Sequence, residues 1–104
     1  MIKVSFFYPN TEDSTFDFDY YSSTHIALSE QRLSPALKGI SIDYGISGIM
    51  PDSKPPFHAV GHLLFDSVEA FYTALTPHIE ELKGDVSNYT NVEAVIQISE
   101  VKDS

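Results

Sequence analysis

Apolar and polar residues alternate from Ile2 to Tyr8, with Ile2, Val4, Phe6 and Tyr8 on one side and Lys3, Ser5 and Phe7 on the other. This period of two, rich in β-branched and aromatic residues, predicts a strand, which Pro9-Asn10 ends. After a polar loop over Thr11 to Ser14 the period changes. Phe18, Tyr21, Ser22, His25 and Leu28 recur at helical spacing, with Asp17 as N-cap and Asp19 in the first turn. This helix is expected to reach about Glu30 or Arg32, before Ser34-Pro35 interrupts the pattern. Ile40, Ile42, Tyr44 and Ile46 alternate with Ser41, Asp43, Gly45 and Ser47, which gives a second strand with one apolar face. Met50 to Pro56 is a proline-rich loop that cannot continue a ladder. Phe57 to Phe65 is a third strand, apolar on both sides and so expected at the sheet centre. Asp66-Ser67-Val68-Glu69 has the form of a capping box with Asp66 as the cap. Ala70, Phe71, Ala74, Leu75, His78, Ile79 and Leu82 then make a helical stripe that Pro77 should kink or split. Lys83-Gly84 is the expected helix end, Asp85 to Asn91 a polar loop, and Val92 to Val101 the last strand.

The order is βαββαβ, without repeats or low-complexity segments. It predicts an α+β, ferredoxin-like domain spanning residues 1–104: a four-stranded antiparallel sheet with both helices on one face. The other face would then carry apolar residues of the first, third and last strands. That is too much apolar surface to leave in water as one patch, so two sheets pairing face to face, a homodimer, is the physical expectation.

The length of 104 residues bounds the chain to one domain, and 42% apolar residues is ordinary for a globular protein. Asp and Glu number 15 against 6 Lys and Arg, a formal charge of −9. That balance argues against nucleic acid and anionic membranes, which need a cationic surface. The absence of cysteine removes disulfides, zinc–thiolate sites and a cysteine nucleophile. Together with an N-terminal segment that reads as a strand rather than a signal peptide, and no segment long enough to span a bilayer, it leads to the expectation of a cytoplasmic protein. No nucleotide-binding glycine pattern is present, and Gly45-Ile46-Ser47-Gly48 is too short to serve as one, so no tightly held cofactor is expected.

Three stretches carry a family likeness. They are Phe16-Asp17-Phe18-Asp19-Tyr20-Tyr21 through His25, then Gly61-His62-Leu63-Leu64-Phe65-Asp66-Ser67-Val68-Glu69-Ala70-Phe71, and then Asn88-Tyr89-Thr90 followed by Val95-Ile96-Gln97-Ile98-Ser99-Glu100-Val101. In this order and spacing the chain resembles the EthD family of small dimeric α+β-barrel proteins over almost its whole length. The resemblance implies a ferredoxin-like subunit that dimerises through its sheet into a barrel. The family takes its name from a gene cluster for ether degradation, where this component accompanies a cytochrome monooxygenase system. Related barrels include methylmuconolactone isomerases, polyketide cyclases and cofactor-free monooxygenases. In the isomerases the helix-one histidine lies in the ligand pocket, a position that looks like His25. The family often follows this histidine with an apolar residue and proline, where this chain has Ile26-Ala27.

His25 is accordingly the expected catalytic acid or base, with Tyr21 four residues earlier on the same helix face. An imidazole exchanges protons near neutral pH, as proton abstraction beside a carbonyl requires. The alternative is a helix-face histidine bonded to a tyrosine or a carbonyl. His58 and His62 sit four residues apart on a strand, about 13 Å from each other, too far to share an ion ligated at ~2 Å; no metal site is expected. His62 alone is a candidate ligand-binding residue, as are Tyr21, Tyr44 and Tyr89, whose phenols can orient a ligand carbonyl. His58 is expected to be an exposed strand-start residue, His78 a helix-surface residue, and Asp43, Glu80, Glu81, Asp85, Glu100 and Asp103 solvated. Three function classes follow. One is an isomerase, cyclase or cofactor-free oxidoreductase acting on a small apolar carbonyl, lactone or aromatic-type metabolite. The second is a non-enzymatic module that binds a hydrophobic ligand or assists a monooxygenase system. The third is a purely structural dimer.

Overall fold

The computed structural model describes residues 1–102; Asp103 lies outside them. Strand β1 (Ile2–Pro9) leads to α1 (Phe18–Tyr20), a π-helical turn (Tyr21–His25) and α2 (Ile26–Leu33), which together form one continuous helical arm. Strands β2 (Gly39–Tyr44) and β3 (Phe57–Phe65) follow. A second arm then comprises α3 (Val68–Leu75), a 3₁₀ turn (Thr76–His78), α4 (Ile79–Asp85) and a 3₁₀ turn (Val86–Asn88), and β4 (Val95–Glu100) closes the chain. The expected βαββαβ order is therefore present. The four strands form one sheet in the order β2-β3-β1-β4, antiparallel throughout, with Val4 opposite both Leu63 and Ile98.

Local chemistry accounts for most of the helix boundaries. The Asp17 carboxylate accepts a hydrogen bond from the Tyr20 amide at 3.0 Å and starts the first arm. Pro77, lacking an amide hydrogen, breaks the second arm into α3 and α4 through the 3₁₀ turn. Several expected boundaries need correction, and β2 ends at Tyr44, before the expected Ile46 and Ser47. The cap of α3 is Ser67, whose hydroxyl accepts from the Ala70 amide at 3.0 Å; Asp66 lies one residue too early. Helix α4 does not stop at Lys83-Gly84 but continues to Asp85, because Gly84 keeps helical geometry and nothing crowds it. The last strand is shorter than expected and starts at Val95; Val92 and Ala94 pack instead against an aromatic cluster.

The arms cover one sheet face, where two apolar cores form. The first gathers Val4, Leu33, Leu63, Phe65, Phe71 and Leu82. The second is aromatic, built on Tyr8, Tyr21, Ala59 and Tyr89. The first arm serves both, Tyr21 at its start and Leu33 at its end. Burial of these large side chains is the main stabilising term, at about 1.5–3 kcal/mol for each fully buried aliphatic residue.

The register places the other side of each strand on the opposite sheet face: Lys3, Ser5 and Phe7 from β1, Ser41 and Asp43 from β2, Val60, His62 and Leu64 from β3, and Val95, Gln97 and Ser99 from β4. Phe57 joins Phe7 at 5.4 Å between ring centroids. No helix among the described residues covers this face, and it is more mixed than expected, with polar residues between the apolar ones. The ladder shifts between Tyr8 and Pro9, so that His58 is the extra residue of a bulge. His58 is thereby drawn from the strand start onto Phe16, where the rings stack at 5.5 Å, and Ser14 Oγ lies 2.8 Å from its Nε2. It is half-buried rather than exposed, and burial, followed by nearby Lys54, lowers its pKa.

Candidate functional site

The sheet turns an apolar floor toward the arms, and the arms do not seal it. Between them lies a cleft of about 970 Å³ whose walls include Phe6, Leu63, Phe71, Leu75, Ile96 and Ile98. Polar side chains on its walls include Tyr8, Tyr21, His25 and Thr90.

His25 enters through the π turn. The Ile26 amide bonds to the Tyr21 carbonyl, five residues back, so the turn is wider than an α-turn. Tyr21 and His25 stack across it with ring centroids 5.9 Å apart and planes 18° apart. Tyr89 meets the same imidazole at 4.7 Å. His25 is 8% exposed. Its Nδ1–H donates to Asp85 Oδ2 at 2.9 Å. The other carboxylate oxygen accepts from the Tyr20 hydroxyl at 2.7 Å and from Asn88 Nδ2 at 2.9 Å. Burial acts to raise the Asp85 pKa, but the hydrogen bonds from Tyr20, Asn88 and His25 outweigh it and hold the carboxyl below its ordinary value.

An ionised Asp85 only accepts, so the proton of a neutral imidazole sits on Nδ1 and Nε2 carries the lone pair. Nε2 has no hydrogen-bond partner among the described residues. No side-chain nitrogen or oxygen there is both shut off from solvent and unpartnered, so Nε2 keeps access to solvent, and His25 is one of the residues that line the cleft. The assembly can accept a proton from, or return one to, a molecule in the cleft.

Beside His25 the tyrosines form a packed group. The Tyr8 and Tyr89 hydroxyls are 2.8 Å apart, and the Tyr21 ring lies 5.4 Å from Tyr8 and 5.1 Å from Tyr89. Tyr21 can reach this far over the sheet because position 61 is glycine; a Cβ there would collide with the Tyr21 hydroxyl. Burial raises the pKa of all three phenols, so they remain protonated and able to donate.

Of the residues singled out by sequence, His25, Tyr21 and Tyr89 are brought together. Tyr44 is not: it is 62% exposed and packs on Phe18 at 4.6 Å, lining a separate groove of about 840 Å³ that Tyr89 also borders. His62 is not either, since the strand pleat places it on the opposite sheet face. There Ser5 Oγ lies 2.8 Å from its Nδ1 and Asp43 Oδ2 lies 3.5 Å from its Nε2. Asp43 is exposed there. Asp85, expected to be solvated, is instead the partner of His25. Tyr20, Asn88 and Tyr8 also escaped the sequence reading as site residues. One signal was available, the spacing of three between Asp85 and Asn88, which sets both on one side of a helical end.

No protein-family model and no curated protein matches the chain. Solved structures do. An EthD-like protein from Ralstonia eutropha JMP134 is 38% identical, with a TM-score of 0.92 over 99% of this chain and 95% of that one. An EthD family protein from Bacillus halodurans C-125 is 22% identical, with a TM-score of 0.75 over 98% of this chain and 99% of that one. HapK from Hahella chejuensis, 15% identical, shares the fold at a TM-score of 0.63 over 100% of this chain and 95% of that one. With identity at 38% along practically the full length of both chains, this chain belongs to the EthD-like family.

Proposed function

We propose that this protein is a small homodimeric enzyme that moves a proton on a small apolar carbonyl, lactone or aromatic-type metabolite, with His25 as the acid–base group. One observation carries the reading: an imidazole bonded to Asp85 through Nδ1, with Nε2 unpartnered among the described residues, lines an apolar cleft. A general base needs both a defined lone pair and reach to the substrate. The cleft walls supply apolar contact for the body of such a molecule. The reaction class is isomerisation, cyclisation or cofactor-free oxidation, each of which can begin with loss of a proton from an acidified C–H or O–H bond. The dimer would form through the uncovered sheet face, where Phe7, Phe57, Val60 and Leu64 lie.

The test is turnover of an identified substrate by His25→Ala. The expected loss is about 100-fold or more with the melting curve retained. Undiminished turnover by a folded His25→Ala rejects the assignment and leaves a ligand-binding module as the reading of the cleft.

A further inference from the structure

Tyr8 has no role in the proton transfer just described, yet it is 3% exposed and is one of the residues that line the cleft. Its hydroxyl lies 2.8 Å from that of Tyr89, and the Tyr21 hydroxyl is close enough to bond to it as well. Either phenol can donate in the bond between Tyr8 and Tyr89, but the two are not equivalent. Tyr8 lines the cleft and Tyr89 does not. When Tyr89 donates, the Tyr8 oxygen is satisfied as an acceptor and its own O–H is free to turn toward the cleft. Accepting a hydrogen bond also makes Tyr8 a stronger donor, because the two bonds polarise one another. His25 lines the same cleft, and Tyr21 neighbours both residues, its ring 5.4 Å from that of Tyr8 and 5.9 Å from the imidazole.

We propose that Tyr8, backed by Tyr89, is the donor that receives a ligand oxyanion, and that the cleft takes ligands of the enol or phenol class: an apolar body bearing one acidic hydroxyl on an unsaturated carbon. This rests on the reading of the cleft as a ligand site and specifies what enters it. The ligand O–H bond breaks and its proton passes to His25 Nε2. The resulting imidazolium is held by the Asp85 carboxylate, and the electron pair left on the ligand oxygen accepts the Tyr8 O–H. No charge is created overall, and no oxidant or reductant is consumed. The direction of transfer follows from the surroundings. Burial raises the three tyrosines, so a phenol or enol of ordinary acidity loses its proton before they do. The charged residues along the cleft, Lys83 and Glu93, are exposed at its rim and offset one another.

The probes are 4-nitrophenol, whose anion has its own visible absorption, and 4-nitroanisole, its methyl ether with no acidic proton. With the full chain, bound 4-nitrophenol is expected to ionise at a pH at least about one unit below its free value and to bind about tenfold or more tighter than the ether. Tyr8→Phe, which keeps the ring and its packing, should weaken 4-nitrophenol binding about tenfold and move its ionisation back toward the free value, while leaving 4-nitroanisole binding unchanged. Tyr89→Phe should give a smaller shift in the same direction. An unshifted ionisation of the bound phenol, or a Tyr8→Phe variant indistinguishable from the parent, overturns the oxyanion assignment alone. Failure of both probes to bind saturably overturns the ligand-cleft reading with it. Loss of turnover in His25→Ala is a separate result that neither outcome predetermines.

Discussion

An imidazole held by one nitrogen is a different reagent from a free one. Asp85 settles which nitrogen of His25 is left with its lone pair free, and Tyr20 and Asn88 keep Asp85 ionised to do so. Asp85→Asn tests this through stability. A carboxyl whose folded pKa is depressed contributes stability that is complete above its ordinary value of 3.8 and is lost as pH falls through the lower folded value. Urea midpoints of the parent should therefore fall steeply below about pH 4. The Asparagine variant should start less stable at neutral pH and show a shallower acid limb. A limb as steep as the parent's would mean that Asp85 is not the titrating partner. Little of this was legible beforehand. His25 and Tyr21 declare themselves by a spacing of four on one helix, whereas Asp85 lies 60 residues away in sequence and looks like any acidic residue near a helix end. Tyr8 was visible as one of four inward residues of a strand, with no local sign that its hydroxyl would meet another phenol.

At the scale of elements, period and punctuation did most of the work. The bounds of β3 are those its apolar run predicts, and Asp17 and Pro77 act as their chemistry requires. Helix ends were harder, because a terminus is decided by what the chain meets next as well as by its own residues. Gly84 offers a stop, but carrying the helix one residue further places Asp85 against Tyr20 and His25. The start of α3 shows a finer failure: Asp66 and Ser67 are both good caps, and only the backbone path chooses between them. Ser67→Ala should lower stability by about 1 kcal/mol, while Asp66→Ala, at an exposed residue 4.0 Å from Lys38 Nζ, should change it by less than about 0.5 kcal/mol. Thermal or urea unfolding of the two variants side by side decides it, and the reverse ranking would return the cap to Asp66. The π turn had no signature, since Tyr21 and His25 share a face in an α-turn as well.

For the whole molecule, the α+β order and antiparallel sheet follow from the alternation of periods, and the covered face from the inward residues of β1 and β3. The mixed character of the opposite face was less legible, because the bulge at His58 and the exact pairing decide which residues collect there. Val60 sits near its middle, opposite Phe7 on one side and Asp43 on the other. If two copies meet there, Val60→Asp would bury a carboxylate without a partner beside Asp43. Sedimentation should then show the parent at twice the chain mass and the variant at the chain mass, with its circular dichroism retained; a parent at the chain mass would remove the interface. The two cores on the covered face are joined by a single helical arm whose wide turn falls between them. That turn sets a difference in phase. Were the turn to tighten into an ordinary α-turn with its residues unchanged, Leu33 would rotate by about 100° relative to Tyr21. The chain would then have to surrender the packing of one core to keep the other, so the arm needs its wide turn to serve both cores at once.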